Sequence, residues 1–419
     1  MEFVENIDIL EYEQFMLKSN YSHFMQTHEF GEIRKIKGFI PHYVGIKQDG
    51  NLICAAMLLE KKIKSKYIYY YVPRGFTIDY NDSELLKQFT LYLYNYCKKN
   101  NAIFLKIDPG VKRYNIDLDK NKIEGEDNTS LIEYLKKLGY IHHGFNLGFE
   151  GFEPRFTFRI NIDKKMEEVF KGFHATTRKV LNKGNQYNLK IYKGNTNDIK
   201  DFYETMIETS KREGIIQAPI EYYQSFYEIF NKKNMSDLYI VKCNIEDTKN
   251  IFLKDIKTLE EKQETNPIKI KENQARMNKL KKIIDELNSI NKKEITLASI
   301  ITVKYKDTVW TVHGGNNSKL MSLNANYLLY YNIIKDANNE GKKIVDLFGT
   351  CGIPNPEPCN PIYGIHSFKK RLGGEYIEFI GEFDLVVNKK MYFLYQKIVP
   401  LKNKIHHHLL SIKTKKSTK

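Results

Sequence analysis

Residues 344–378 read IVDLFGTCGIPNPEPCNPIYGIHSFKKRLGGEYIE, and the fold is decided by how this stretch is broken up. Its opening, IVDLFG, alternates branched and aromatic residues as a half-buried strand does. Prolines at 354, 356, 358 and 361 then exclude regular structure, since each removes a backbone donor and fixes φ. Beyond them Phe368 and three consecutive cations (Lys369, Lys370, Arg371) run into Gly373–Gly374. Adjacent like charges beside apolar residues favour a nearby anion, and paired glycines permit close backbone approach. A solvated basic turn ahead of an edge strand explains the same residues without any function.

Upstream of this stretch, strand-like and helix-like runs alternate twice. HYVGIKQDGNLICAAMLLEKKI, from His42, reads as a hairpin turning at Asp49–Gly50. YIYYYV is a strand stopped by Pro73, and SELLKQFTLYLYNYCKK has helical spacing with Ser83 as its cap. IFLKI ends at Asp108–Pro109–Gly110 before a polar loop, and SLIEYLKKLG is a helix closed by Gly139. From about residue 155 the order restarts: the strand RFTFRINI, a helix then a strand over Met166–Gly194, two helices, the strand DLYIVKC, the hairpin SIITVKYKDTVWTVHGG, and a helix into IVDLFG. Two units of similar order predict a duplicated α/β (α+β) chain, although no residue-level repeat is visible. The expected domains are 1–153 and 154–245 plus 299–400.

Between the two parts of the second unit, roughly Glu246 to Lys293, glycine and aromatics nearly vanish. Phe252, Ile256, Leu259 and Gln263, and again Met277, Leu280, Ile284 and Leu287, recur at three- and four-residue steps, the seam of a coiled coil. Asn266–Pro267 marks a reversal. The expectation for 246–298 is an antiparallel helical arm with arms of roughly 30 Å, at 1.5 Å per residue. Such an arm serves as an inert or dimer-forming stalk, or as a lever on an extended polyanion such as tRNA. The tail 401–419 is a basic low-complexity run suited to a frayed end, an anionic membrane or nucleic acid.

The 419 residues carry a formal net charge of +15, which favours an acidic partner such as nucleic acid, nucleotide-sugar phosphate or an anionic membrane face. Five scattered cysteines without a CxxC fit a reducing compartment. Cys351, Cys359 and His366 lack a fourth metal ligand, so no metal is expected. MEFVENIDIL lacks the basic-then-apolar order of a signal peptide, and no run approaches the ~20 apolar residues of a membrane span. A cytoplasmic protein, peripheral at the inner membrane face at most, is expected.

With these residues in view, the chain resembles the FemABX family of peptidoglycan-bridge aminoacyltransferases. MQTHEFGEIRK (25–35), TTRKVLNKG (176–184), ETSKREGI (208–215), YLLYYNIIKDANNEGKKIVDLFG (327–349) and YGIHSFKKRLGGE (363–375) look like the family's motifs in the family's order. Phe30 departs from the usual Trp, and the Cys- and Pro-containing loop after Phe348 is longer. The resemblance implies two GNAT-type acyltransferase domains, with the arm in the second. It implies transfer of an amino acid (Gly, Ser or Ala type) from aminoacyl-tRNA to the stem-peptide amine of lipid II or UDP-MurNAc-pentapeptide, with no cofactor beyond the aminoacyl-tRNA co-substrate. Two other classes compete. An acetyl-CoA-dependent N-acetyltransferase would carry a [QR]-x-x-G-x-[GA] loop, and the nearest segment, Arg371–Tyr376, fails at its last position. A non-enzymatic RNA-binding protein would use only the arm and the basic faces.

Lys369 matches the family's functional lysine, and its cation would stabilise the tetrahedral oxyanion or the leaving ribose oxygen, with Phe368 shaping the pocket. Asp108, at a strand end, is a candidate proton acceptor or an ordinary turn-former. Arg212 resembles the family's acceptor-phosphate arginine, or is a helix C-terminal cation favoured by the dipole. Arg34 or Lys35 would make the matching contact from the first domain. Tyr222 and Tyr223 are acceptor-groove or core residues. Arg178, Lys179, Lys183, Lys370 and Arg371 form a basic face for tRNA or for solvent.

Overall fold

In a computed structural model, which describes residues 1–397 apart from Ser65, Ile215, Pro358 and Pro361, the alternating runs become two sheets. The basic tail expected over 401–419 lies outside the described residues. β1 (Glu2–Glu5), β2 (Ile40–Gln48), β3 (Asn51–Lys64), β4 (Tyr67–Val72) and β5 (Ala102–Ile107) begin the first. β6 (Tyr114–Ile116) and β7 (Lys122–Asp127) pair as a separate ribbon, and β8 (Tyr140–His142) follows. β9 (Phe156–Asn161), β10 (Lys190–Gly194), β11 (Ser236–Asn244), β12 (Glu294–Tyr305), β13 (Thr308–Asn316), β14 (Ile344–Thr350) and β15 (Glu375–Glu378) form the second, and β16 (Phe383–Val386) comes last.

The sheets match position by position, in the orders β1-β2-β3-β4-β5-β16-β8 and β10-β11-β12-β13-β14-β9-β15. In each, the pair at positions four and five is parallel, β4 with β5 and β13 with β14. Their other neighbours are antiparallel. This shared order is the duplication that the residues themselves no longer show. The sixth position is where the halves interlock. β9 opens the second unit and lies in its sheet, between β14 and β15; β16 follows the second sheet in the chain and returns to the first, between β5 and β8.

The expected boundary is therefore corrected: Phe383–Val386 falls in 299–400 but belongs to the first sheet. Its inward Phe383 and Leu385 complete the apolar face that Leu105 and Ile107 leave open. Smaller corrections follow the same logic of local chemistry. Asp82, not Ser83, caps the helix Ser83–Lys99, accepting from the Leu85 N–H. The basic stretch at 363–371 is a helix, Tyr363–Arg371, with β15 behind it as the expected edge strand. Met166–Lys171 and Ala175–Asn182 are two helices rather than one. The loop after Gly110 hides the β6–β7 ribbon, because every residue of β7 is exposed and shows no apolar alternation.

The insertion is a helical hairpin, Ile245–Glu260 and Pro267–Asn288, set between paired β11 and β12. Its seam is buried in the half nearest the sheet. Phe252, Ile256, Leu280, Ile284 and Leu287 are buried together with Ile245 and Ile283 and join the core of the second half. Leu259 and Met277 are half-buried and Gln263 is exposed, so the outer turns share less apolar contact.

Alternation along the strands gives each sheet two packed faces. One face of the first sheet packs on helices Ser83–Lys99 and Thr129–Lys137, and one face of the second packs on helix Ala325–Asn339 and the hairpin base. The remaining faces share a middle core. Met57, Tyr71 and Phe104 meet it from the first sheet; Ile240, Ile301 and Trp310 meet it from the second. Phe24 lies 5.0 Å from the Trp310 ring and 6.1 Å from Phe230.

The return of β16 to the first sheet couples the halves, and Trp310, the one tryptophan of the sequence, reports on their interface. Phe383→Ala empties a fully buried site and should cost about 3–5 kcal/mol. The thermal midpoint should fall equally by Trp310 fluorescence and by far-UV circular dichroism. A fluorescence transition left at the wild-type temperature would show that the halves unfold independently.

Candidate active site

Two segments cross between the halves: residues 143–155 (HGFNLGFEGFEPR), from β8 to β9, and 379–382 (FIGE), from β15 to β16. Buried charge gathers at the crossing. Arg155 donates to Glu378 at 2.6 Å and Arg113 to the same Glu378 oxygen at 2.9 Å. Lys106 pairs with Asp384 at 2.9 Å and Glu382 at 3.2 Å. Burial opposes the charge on Lys106, but Asp384 and Glu382 outweigh it and raise its pKa.

Asp108 stands at the end of β5 as the strand pattern suggests. Its carboxylate accepts from the Arg74 N–H at 2.7 Å and from the Tyr71 hydroxyl at 3.1 Å. Burial pushes this carboxyl up to about 8; Arg74 opposes the shift, while Glu153 and Glu382 add to it. Asp108, Glu153, Glu382, Arg74 and Arg155 surround a cavity of about 10 Å³. That is room for roughly one water. Arg155 Nη2 is buried in this region without a protein partner.

Lys369 approaches the crossing from the second half. It lies in the last turn of helix Tyr363–Arg371 and is 5% exposed. Its ammonium donates to the Gly349 carbonyl at 2.7 Å and the Phe348 carbonyl at 3.3 Å. The chain turns these carbonyls together by a bulge in β14 against β9, with Phe348 in the left-handed region at φ 59°. Asp346 secures the bulge, accepting from Phe348 N–H at 2.8 Å, Thr157 hydroxyl at 2.6 Å and Arg159 Nε at 2.8 Å. Burial lowers the Lys369 pKa to about 7, and Asp346 partly offsets it.

Pro154 joins the two groups. Its carbonyl accepts from Arg74 Nη2 at 3.1 Å, and its ring lies so close to Gly349 that an added Cβ there would clash with it. Phe379 is sandwiched in the same place, with Arg74 4.7 Å and Arg159 5.4 Å from its ring centre. The structure thus brings Lys369 and Asp108 to opposite ends of one short path. Phe368 it turns away, packing 5.0 Å from both Tyr327 and Tyr330.

A second cluster lies where helix His28–Ile36 meets helix Ile220–Asn231. The Arg34 guanidinium is 4.5 Å from the Phe39 ring, Lys61 Nζ is 4.7 Å from the same ring, and Lys37 Nζ is 4.1 Å from Tyr222. Among the described residues none of these three cations has a carboxylate at ion-pair distance. Burial and the neighbouring Arg34 lower the pKa of both Lys37 and Lys61. His313 packs against Tyr222, Tyr223 and Phe226; burial and Lys37 hold its imidazole down at about 3, and its Nε2 is unpartnered. Tyr222 and Tyr223 are core residues. Of the alternative Arg34 or Lys35, Arg34 lies in this cluster and Lys35 pairs outward with Glu32 at 2.5 Å. Arg212 bonds Glu213 at 2.8 Å and Ser318 at 3.4 Å, at the C-terminal end of helix Ile199–Glu213.

A crevice of about 1170 Å³ opens between the halves on the side of Arg159 and Gly374, walled by Tyr80, Tyr134 and Lys137 from the first half and Lys164 from the second. Through Arg159 it adjoins Asp346 and so the Lys369 site. Lys179, Lys183 and Arg371 are exposed near it on adjoining helix ends, where Thr177 Oγ1 donates to the Arg371 carbonyl. Arg178 caps the Lys171 and Phe173 carbonyls, and Lys370 ties the Leu118 and Pro354 carbonyls together. His366 uses both ring nitrogens, at 3.0 Å from Thr350 Oγ1 and 3.0 Å from the Pro354 carbonyl.

The sequence pattern described as the FemAB family matches residues 7–399. The chain belongs to the FemAB family. Its activity class is accordingly that of a transferase. A relative named lipid II:glycine glycyltransferase, from Staphylococcus haemolyticus strain JCSC1435, is 27% identical over 413 residues, covering 94% of this chain and 95% of its own. One of the same name from Staphylococcus aureus strain MRSA252 is 25% identical, over 93% and 94%. The crystal structure of FemX superposes with a TM-score of 0.74 at 24% identity, covering 94% of this chain and 99% of that one. The fold of this FemAB protein is therefore FemX-like over 94% of its length. Lys37, Lys61, Arg74, Glu153, Glu382 and His313 were not among the sequence candidates; EIRKIKG carried a signal for Lys37, three residues past Arg34 on one helix face.

In the folded protein Asp108 keeps its proton to about 8, but a free aspartate keeps it only to about 4. The native state thus binds the extra proton between those values, and this group's contribution to stability is lost as pH rises through them. Asp108→Asn should raise the thermal midpoint most near pH 8, with the gap closing toward pH 4. An unchanging gap would show that Asp108 is ionised in the native state.

Proposed function

We propose that this FemAB-family protein transfers an amino acid from aminoacyl-tRNA to the stem-peptide amine of a lipid-linked or UDP-linked peptidoglycan precursor. The observation that carries the reading is Lys369, a buried ammonium held by two backbone carbonyls with its third N–H left over. The full-length relatives named lipid II:glycine glycyltransferase support it and favour glycine and lipid II. Each half is read as a GNAT-type acyltransferase unit, with the acceptor held by the first and the donor by the second.

The chemistry asks for little beyond placement, since an amine attacking an ester is downhill. The amine nitrogen bonds to the ester carbonyl carbon, the carbon–oxygen bond to ribose breaks, and the proton lost by nitrogen ends on the ribose oxygen. The remaining Lys369 N–H faces the oxygen that becomes negative, and such a donor is worth ~3–4 kcal/mol. A low Lys369 pKa suits this role, because the developing anion draws the proton back onto the amine. Asp108, protonated near neutrality, positions Arg74 and Tyr71 rather than acting as a free base.

Arg34, Lys37 and Lys61 are unpaired cations on an aromatic floor, which suits the diphosphate that both acceptor forms carry. The crevice beside Arg159 has the size for the end of the donor RNA, with Lys179, Lys183 and Arg371 flanking it. The helical hairpin is a further contact for the RNA body.

Incubation with glycyl-, seryl- or alanyl-tRNA and either acceptor should lengthen the precursor by one residue in a mass spectrum. Absence of product with all three donors and both acceptors rejects the reading. Lys369→Met should lower kcat by ~10²–10³. Lys37→Ala should raise the acceptor KM about tenfold with kcat nearly kept, as for loss of one charged contact, whereas Lys35→Ala should change neither.

A further inference from the structure

The end of the described chain has a surface that transfer does not explain. Residues 389–397 form a helix whose inner face packs on the first half. Tyr392 and Tyr395 lie 5.4 and 5.1 Å from Phe104, and the Tyr392 hydroxyl donates to Asp384 at 2.8 Å. The outer face is not the polar surface that a docked helix normally shows. It carries Phe393, 60% exposed, and Leu394, 46% exposed, between Lys389, Lys390 and Lys397. Lys397 Nζ lies 4.3 Å from the Phe393 ring, and among the described residues none of these lysines has an ion-pair partner.

The composition continues the theme. Residues 389–419 hold nine lysines, and no acidic residue follows Asp384. Ile398, Val399, Leu401, Ile405, Leu409, Leu410 and Ile412 intersperse apolar groups. Cations combined with protruding apolar side chains are what holds a peripheral protein at an anionic bilayer, since either signal alone binds weakly. Nucleic acid would account for the lysines and leave Phe393 and Leu394 unexplained.

We propose that helix 389–397 docks this protein on an anionic lipid bilayer. Phe393 and Leu394 enter the headgroup boundary, and Lys389, Lys390 and Lys397 meet the lipid phosphates. The docking face adjoins the crossing: Tyr395 packs 5.9 Å from Tyr69, and Phe152 of the crossing segment lies 6.5 Å from the same ring. A membrane-bound acceptor would then be presented beside Glu153 and the Arg34–Lys37–Lys61 cluster. The docking stands without the transfer reading, and the test separates them.

The full chain is sedimented with vesicles of phosphatidylcholine alone and of phosphatidylcholine with phosphatidylglycerol, at about 0.1 M and about 1 M salt, between which the Debye length falls from ~10 to ~3 Å. Binding is expected only to the anionic vesicles, weakened by salt. The double variant Phe393→Ser/Leu394→Ser and the triple variant Lys389→Gln/Lys390→Gln/Lys397→Gln should each partition at least ~tenfold less, as expected when one of two anchoring signals is lost. Circular dichroism and transfer to the soluble UDP-linked acceptor should match wild type in both. No binding to anionic vesicles, equal binding to neutral ones, or binding that survives both changes overturns the proposal. So does loss of tRNA affinity in the double variant with vesicle binding intact. Failure of transfer with vesicle binding kept would count against the catalytic reading alone.

Discussion

The return of β16 to the first sheet is the constraint on which the rest of this molecule depends. β16 hydrogen-bonds to β5 and β8 although the whole second sheet, β9 to β15, lies between them in the chain, so the first half holds a strand reached only across the other. The connecting segments must pass one another, and their backbone and charges have to be satisfied where they do. Arg113, Arg155 and Glu378 on one side, and Lys106, Glu382 and Asp384 on the other, meet that need. Buried ion pairs are weak sources of net stability because desolvation consumes much of their attraction. Here their effect is to fix which segment lies where, and so to fix the candidate site.

That site is run by burial more than by partnership. Desolvation is the largest cause of the Asp108 shift upward and the Lys369 shift downward, and in each case a neighbour of opposite charge only moderates it. Both groups consequently change charge near neutrality rather than at the extremes. Water-exposed versions of the same two residues would stay ionised at neutral pH. The dry setting comes from the aromatic and glycine pattern of 143–155, whose Phe149 and Pro154 seat against Gly349 and whose Phe152 covers Tyr71.

Much of this was legible in local sequence. IVDLFG gave away β14, Asp49–Gly50 the β2–β3 turn, and the order of motifs placed Lys369 on a site element. Asp108 was legible as a strand-end carboxylate. What local pattern does not carry is long-range partnership. Phe383–Val386 is four residues long and alternates like any strand, and nothing in it says that its ladder lies hundreds of residues back. Glu153, Glu382 and Arg74 are unremarkable in their own segments and meet only because the segments cross. Phe368 packs against Tyr327, and Arg212 bonds Glu213 at a helix C-terminus; neither contact could be read from the motif positions. The hairpin was legible as two helices, but periodicity cannot tell a seam facing its mate from one facing a sheet.

The placement of β16 also bears on how the chain reaches its native state. A ribosome delivers the first half long before residue 383 emerges, and until then β5 and β8 wait with open edges and an uncovered apolar face. Domains ordinarily consolidate one after another as they leave the exit tunnel. This one is obliged to keep its earlier-made portion provisional until residue 386 has been translated. Closure of both sheets then becomes a single late event, which makes any intermediate lacking the last strand prone to borrow an edge from a neighbouring copy.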